Sequence, residues 1–186
     1  PIHENLIDKI YKDKSKKINS SFYNLDNKIS GEPVNLKINR LIKIMKSKKI
    51  DNIFISAAEN VAWLLNIRGK DNLHSPIPNC KIILTNTKKI FFFSCPKKIN
   101  IIKKHQDYKK IIFCTYPNLP KIINKLRGNN FSIDSLTCSV SNEKIVKKLF
   151  SIKNSIDPCY GLKSIKNKLE IKGMIQAHIE DGLALT

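Results

Sequence analysis

Histidine, cysteine and carboxylate side chains are the groups able to bind metals or move protons, so their spacing limits the chemistry this chain can host. The four histidines, His3, His74, His105 and His178, stand far apart, and none belongs to an H-x-H or H-x-x-x-H pair. A metal site needs such donors within reach of one ion. The fifteen carboxylates are dispersed as well. The densest group, His178-Ile179-Glu180-Asp181, is spread around a single helical turn. The five cysteines, Cys80, Cys95, Cys114, Cys138 and Cys159, contain no C-x-x-C pair, which argues against a zinc knuckle or redox motif. Nucleophilic cysteine chemistry needs a neighbouring base. His74 and Cys80 are the one sequence-close pair, and a packing thiol beside a proline-flanked loop accounts for them. With six glycines, no phosphate-cradling loop and no G-x-S-x-G elbow can be written. The expectation is that this chain carries no catalytic residue, no metal ligand and no cofactor of its own.

Composition narrows the class. At 186 residues with 41% hydrophobic content and a mean hydropathy of −0.27, the chain has the material for one buried core. Its longest apolar runs, Ile82-Ile83-Leu84 and Ile90-Phe91-Phe92-Phe93, have strand length, far from the roughly 20 residues of a membrane span. No secretory signal opens the sequence. Together with thiols that read as packed and unpaired, this gives a cytoplasmic expectation with no membrane partner. The net charge of +19 comes from lysines scattered among Ile, Asn and Phe, residues that share A/T-rich codons. Only a handful of the 34 basic residues are arginine, the side chain suited to bidentate phosphate or base contacts. A stand-alone basic nucleic-acid-binding α/β domain is therefore the alternative rather than the leading reading.

Periodicity supplies the elements. Residues 1–30 read as a polar, irregular connector. Pro33 opens a helix whose Val34, Ile38, Leu41, Ile42 and Met45 share one face, with Lys37, Lys43, Lys46 and Lys48 assigned to solvent. A strand over 52–56, a short helix over 59–66 and a turn over 67–71 follow. Strands 80–85 and 89–94 are close enough for an antiparallel hairpin. Helices near 97–106 and 118–127, strands at 110–114 and within 131–139, and a helix over 142–150 capped by Ser141 complete the pattern. Ile145, Val146, Leu149 and Phe150 form the stripe of that last helix. Strands alternating with helices predict an α/β architecture, a mixed β-sheet flanked by helices. A terminal helix from Lys163 to Leu185, capped by Ser164, runs to Thr186 without a stop signal, so the chain is expected to be excised from a longer protein.

Three segments carry a family resemblance. Ala58-Glu59-Asn60-Val61-Ala62-Trp63-Leu64-Leu65-Asn66-Ile67-Arg68-Gly69-Lys70-Asp71 resembles the D-E-I-A-W-L-L-N-I-R-G-x-D stretch of long-form Xaa-Pro aminopeptidases. Asn5-Leu6-Ile7-Asp8-Lys9-Ile10-Tyr11-Lys12-Asp13 is similar to their N-L-V-D-x-I-W-x-D. Residues 163–185, through Glu170, Ile171, Gly173, Met174, Ala177, His178, Asp181, Gly182, Ala184 and Leu185, resemble K-x-x-x-E-I-x-G-M-R-x-A-H-I-x-D-G-x-A-L. The three occur in the family's order and at about its spacing. Two departures stand out: Ser15-Lys16-Lys17 replaces a Pro-rich step, and Ser75-Pro76-Ile77-Pro78-Asn79-Cys80 replaces the aromatic-rich N-P-V-F-x-S-Y.

The resemblance implies a creatinase/prolidase-type fold with residues 1–32 as a connector from an upstream domain. Residues 33–162 would be the second such domain, and 163–186 the first helix of a pita-bread catalytic domain. That catalytic domain would hold two divalent metal ions, typically manganese, and cleave peptides with proline at the second position. This chain's partners would be that domain and further copies in a homo-oligomer. Trp63, Arg68, Asp71 and His74 are the candidates for the substrate entrance. Plainer roles stand beside these: Trp63 packs the short helix, and Arg68 and Asp71 pair with each other or cap the turn across Gly69. His178 reads as an inter-domain packing residue.

Overall fold

The computed structural model describes Ile10, residues 21–72 and residues 74–186. Most of the segment Asn5–Asp13 lies outside the described residues, as does Ser15-Lys16-Lys17. Short runs of β-branched and aromatic residues, apolar at every position, suit strands buried on both faces. Among the described residues eight strands form: β1 (Tyr23–Asn24), β2 (Asn52–Ile55), β3 (Ile67–Arg68), β4 (Lys81–Thr85), β5 (Ile90–Phe93), β6 (Ile111–Cys114), β7 (Asn130–Ile133) and β8 (Ser151–Asn154). Six of them make one mixed sheet in the order β6-β5-β4-β2-β7-β8, while β1 and β3 pair separately. β4 lies antiparallel to β2 and β5, and the pairs β5–β6, β2–β7 and β7–β8 are parallel.

Period-two alternation divides the side chains between two cores. Ile53, Ile55, Ile82, Leu84, Ile90, Phe92 and Ile111 point to one face. Phe54, Ile83, Phe93, Phe131 and Ile133 point to the other. Helices cover both. On the first face lie α2 (Val34–Ser47), α3 (Ala58–Leu64) and α6 (Pro158–Ser164); on the second lie α4 (Leu119–Ile123) and α5 (Val140–Lys147). Two further helices among the described residues are α1 (Asn27–Ser30) and α7 (Lys168–Leu185). The mixed sheet flanked by helices is the predicted class.

Several local expectations are corrected. Residues 22–31 are part of the fold: Phe22 is fully buried, its ring edge-on to Phe92, and β1 pairs with β3. The helix expected over 97–106 is replaced by 3-10 turns at Pro96–Lys98, Ile102–Lys104 and Gln106–Tyr108. Asn100 and the β-branched Ile99, Ile101 and Ile102 are poor helix formers, and burying Ile99 and Ile102 suits a three-residue repeat. α4 stops at Ile123, short of Gly128. Ser139, not Ser141, caps α5, its side chain accepting from Asn142 N, and the helix ends at Lys147, before Leu149, which is exposed. The terminal helix is two helices. Asp157 caps α6 with Pro158 in its first turn, and Asn167, not Ser164, caps α7.

Asp51 ties the amino ends of the strands together. Its carboxylate accepts from Asn129 N at 2.8 Å, Asn130 N at 3.0 Å and Asn86 Nδ2 at 3.1 Å. Gly128, at φ +105°, leaves the space a Cβ would share with the Asp51 side chain. Asp51→Ala is expected to lower stability by about 2 kcal/mol, since three donors, two of them partly buried, lose a charged acceptor. Urea unfolding checks this: the midpoint should fall with the slope unchanged.

Candidate functional site

The segment 58–80 begins with α3, whose Val61 and Leu64 are fully buried. Asn60, also fully buried, donates to Asp157 Oδ2 at 2.7 Å and accepts from Lys163 Nζ at 2.6 Å, which fastens α3 to α6. The helix ends where Asn66 enters the left-handed region at φ +51°, a conformation asparagine tolerates better than most residues. The Asn66 side chain, 2% exposed, donates to Glu32 O at 2.8 Å and accepts from Lys37 Nζ at 2.6 Å. Its own carbonyl accepts from Leu25 N at 2.7 Å. The Tyr108 hydroxyl donates at 2.9 Å to the adjacent Leu65 O, and burial raises its pKa.

Lys37, expected at the surface, is 1% exposed. It donates to Trp63 O at 2.9 Å as well as to Asn66, and its ammonium sits 4.5 Å from the centroid of the Trp63 ring. In effect a lysine from α2 caps the carbonyl end of α3, where a cation is favoured. Desolvation pulls its pKa down to about 8, with Glu170 and Glu32 opposing and Arg68 and Arg40 adding to the shift. The Arg40 guanidinium lies 5.8 Å from the same ring and pairs with Glu32 at 2.5 Å.

The four entrance candidates fall in different surroundings. Trp63 is half-buried against the first core, which fits its packing role. Arg68 donates through Nη1 to Ile67 O at 2.9 Å and Ala62 O at 3.2 Å, and burial lowers its pKa. Asp71 pairs with Lys98 and accepts from Asn79 N at 2.6 Å, so it closes the 71–79 loop. Arg68 and Asp71 therefore have separate partners and do not pair. His74 is exposed and lines a cleft of about 410 Å³ with Tyr23, Gly69, Lys70, Asn72, Ser75 and Pro76. Gly69 is required there: a Cβ would stand 2.9 Å from both Phe22 Cδ1 and Pro78 Cα. The structure thus gathers Gly69, Lys70 and His74 with Tyr23 at one cleft, and Trp63 with Lys37, Arg40 and Asn66 in a second cluster.

Sequence reasoning missed Lys37, Asn66 and Tyr23. The spacing of Lys37 held a signal, because it is three residues after Val34 and four before Leu41, inside the apolar stripe. Tyr23 gave none, since its place beside Gly69 depends on the pairing of β1 with β3. Among the described residues, no three His, Cys, Asp or Glu side chains converge where they could hold a metal ion. No helix among the described residues is long and apolar enough to cross a membrane.

Comparison with known proteins bears on the whole chain. The creatinase/prolidase N-terminal domain family matches residues 13–170. The chain is 30% identical to "Probable Xaa-Pro aminopeptidase P" of Laccaria bicolor, over 99% of this chain and 29% of that protein. It is 31% identical to "Xaa-Pro aminopeptidase 1" of Dictyostelium discoideum, over 98% of this chain and 30% of that protein. In three dimensions it is similar to an X-prolyl aminopeptidase from Caenorhabditis elegans, described as a cytosolic enzyme with a di-nuclear active site. That likeness has a TM-score of 0.84 at 22% identity and covers 98% of this chain and 31% of the other. At that identity it establishes the fold. The chain spans less than a third of the length of these relatives.

Proposed function

Since this chain belongs to the creatinase/prolidase N-terminal domain family, we propose that it is a non-catalytic domain of a metal-dependent Xaa-Pro aminopeptidase, which removes the N-terminal residue that precedes proline. The observation that carries this reading is the full-length match to Xaa-Pro aminopeptidases that are about three times longer. Residues 33–162, together with 22–31 packed against them, serve as the second creatinase-type domain, with the residues before these leading in from an upstream domain. Residues 163–186 lead into the catalytic domain, which carries two divalent ions, manganese by expectation.

Within the parent, this domain shapes the active-site entrance and contributes to a homo-oligomer surface. His74 and Lys70 supply exposed polar groups at the cleft, while Trp63, Arg68 and Asp71 hold the segment's shape from behind. The exposed Leu136, Val140 and Ile156 support an oligomer contact. The free cysteines support a reducing, cytoplasmic setting. The named relatives are proline-specific peptidases, which leaves the nucleic-acid alternative without support.

The test is a paired assay on Xaa-Pro peptides with manganese present, comparing this 186-residue chain with the same chain extended through its upstream and downstream coding sequence. Hydrolysis is expected from the extended protein alone. Hydrolysis by the short chain, or none by the extended one, overturns the reading. In the extended enzyme, His74→Ala is expected to lower kcat/KM at unchanged stability, whereas Arg68→Ala, which strips the Ala62 and Ile67 carbonyls of their donor, is expected to lower stability as well as kcat/KM. A kcat/KM equal to the parent's would remove the altered residue from the entrance.

A further inference from the structure

α7 leaves the fold with its side chains in solvent: every residue from Ile171 to Thr186 is exposed. Its 18 residues make a rod about 27 Å long at 1.5 Å per residue. A free helix of that length is marginal in water, and Gly173 and Gly182 weaken it further. Its direction and its nucleation are therefore both decided in the first turn.

That turn is held by one amide side chain used at both ends. Asn167 Oδ1 accepts from Leu169 N at 3.0 Å and Glu170 N at 2.9 Å, the usual work of an N-cap. Glu170 Oε2 accepts from Asn167 N at 2.9 Å, completing a capping box. Asn167 Nδ2 points the other way and donates to Ser30 O at 2.8 Å. Beside it, Gly31 stands at φ +72°, and a Cβ there would overlap the Asn167 side chain. The receiving turn is itself fixed. Gly31 N donates to Asn27 O at 2.9 Å, and Asn66 Nδ2 donates to Glu32 O at 2.8 Å and Asn27 Oδ1 at 3.3 Å. An unbroken chain of hydrogen bonds runs from the α7 cap through the Gly31 turn to Asn66 in the core.

We propose that the Gly31 turn and the Asn167 cap form a fixed joint that sets the direction of α7 relative to the sheet. A serine or aspartate at 167 would cap α7 as well but has no N–H to offer Ser30 O, so asparagine is required for the grip and not for the cap. The joint is a property of this chain. That it transmits orientation to a catalytic domain rests on the reading above.

The grip and the cap separate experimentally. In the 186-residue chain, residual dipolar couplings of the α7 amides report orientation, and their Cα chemical shifts report helix formation. The α7 couplings of the unaltered chain are expected to fit the alignment frame of the six-stranded sheet. Asn167→Asp is expected to keep helical shifts while the α7 couplings lose most of their magnitude. Gly31→Ala, which displaces the Asn167 side chain, is expected to do the same. The joint is refuted by α7 couplings that already average independently in the unaltered chain. It is equally refuted if Asn167→Asp leaves them unchanged, or removes the helical shifts along with them. Peptidase activity enters none of these readouts, so the joint and the proposed function can fail separately.

Discussion

Asn66→Ala is expected to lower the unfolding free energy by about 3–5 kcal/mol, the range for removing one partner of a buried charge. That is a large share of the roughly 5–15 kcal/mol that holds a typical domain folded. The loss has three sources. Lys37 forfeits its 2.6 Å acceptor in a site 1% exposed. Glu32 O loses a 2.8 Å donor. Alanine also inherits a φ of +51°, which an ordinary side chain adopts at a cost of about 1 kcal/mol or more. Asn66→Gly separates these sources, because glycine adopts that backbone freely and recovers only the last part. Urea titration of both variants is the measurement. A cost for Asn66→Ala below about 1 kcal/mol, the worth of one ordinary hydrogen bond, would show that the cluster is not cooperative.

The second large effect is a pH dependence carried by Lys37. Its folded pKa, about 8, lies below the 10.5 of an unperturbed lysine because burial disfavours the ammonium. Between those two pH values the unfolded chain holds a proton that the folded chain has released. Lys37 therefore adds to stability as pH rises through that window, and costs the fold about 3 kcal/mol below it, at 1.36 kcal/mol per pH unit. Other buried groups act oppositely. Cys80, Cys159 and Tyr108 all have their pKa raised, chiefly by burial, so the unfolded chain ionises first and alkali weakens the fold. The comparison that isolates Lys37 is the unaltered chain against Lys37→Met, melted in urea with reductant from pH 7 to pH 10. The difference should move in favour of the unaltered chain by up to about 3 kcal/mol as pH rises. A difference independent of pH would mean that the folded and unfolded chains hold the Lys37 proton equally, so that burial does not lower its pKa. Glu32, Arg40, Arg68 and Glu170 face the same amine. Glu170→Gln should accordingly deepen the effect, since that carboxylate holds the lysine's pKa up.

The elements that read correctly from sequence are those whose pattern is local. Val34, Ile38, Leu41, Ile42 and Met45 place one face of α2 in the core, and all five are at most 8% exposed. The runs that became β2, β4, β5 and β6 are too short and too apolar to be anything but strands inside a covered sheet. Local signals were also present where the reading went astray. Asp157-Pro158 is an N-cap followed by proline at the first helical position, the start of α6. Asn167 with Glu170 three residues on is the capping box of α7. By contrast, β8 carries Lys153 and Asn154 on a partly exposed edge, and shows no alternation to distinguish it from a loop.

The candidate site was half legible. The stretch from Ala58 to Asp71 carries the densest resemblance in the sequence, but the roles of its residues depend on what folds against them. Arg68 faces carbonyls of its own segment, and Asp71 is taken by Lys98 from 27 residues away. A sequence lists charges without their distances, so the pairing of Arg68 with Asp71 across a turn looked natural and did not form.

Composition and periodicity by themselves determined an α/β chain with a mixed sheet covered by helices, because hydrophobic burial is a property of the residues. Only the tertiary structure decided that Lys37 is buried, that Asn66 is the knot among α1, α2 and α3, and that Asn167 grips the Gly31 turn. A lone polar group is costly in a core and favourable once its partners arrive, and those partners come from parts of the chain that meet only on folding.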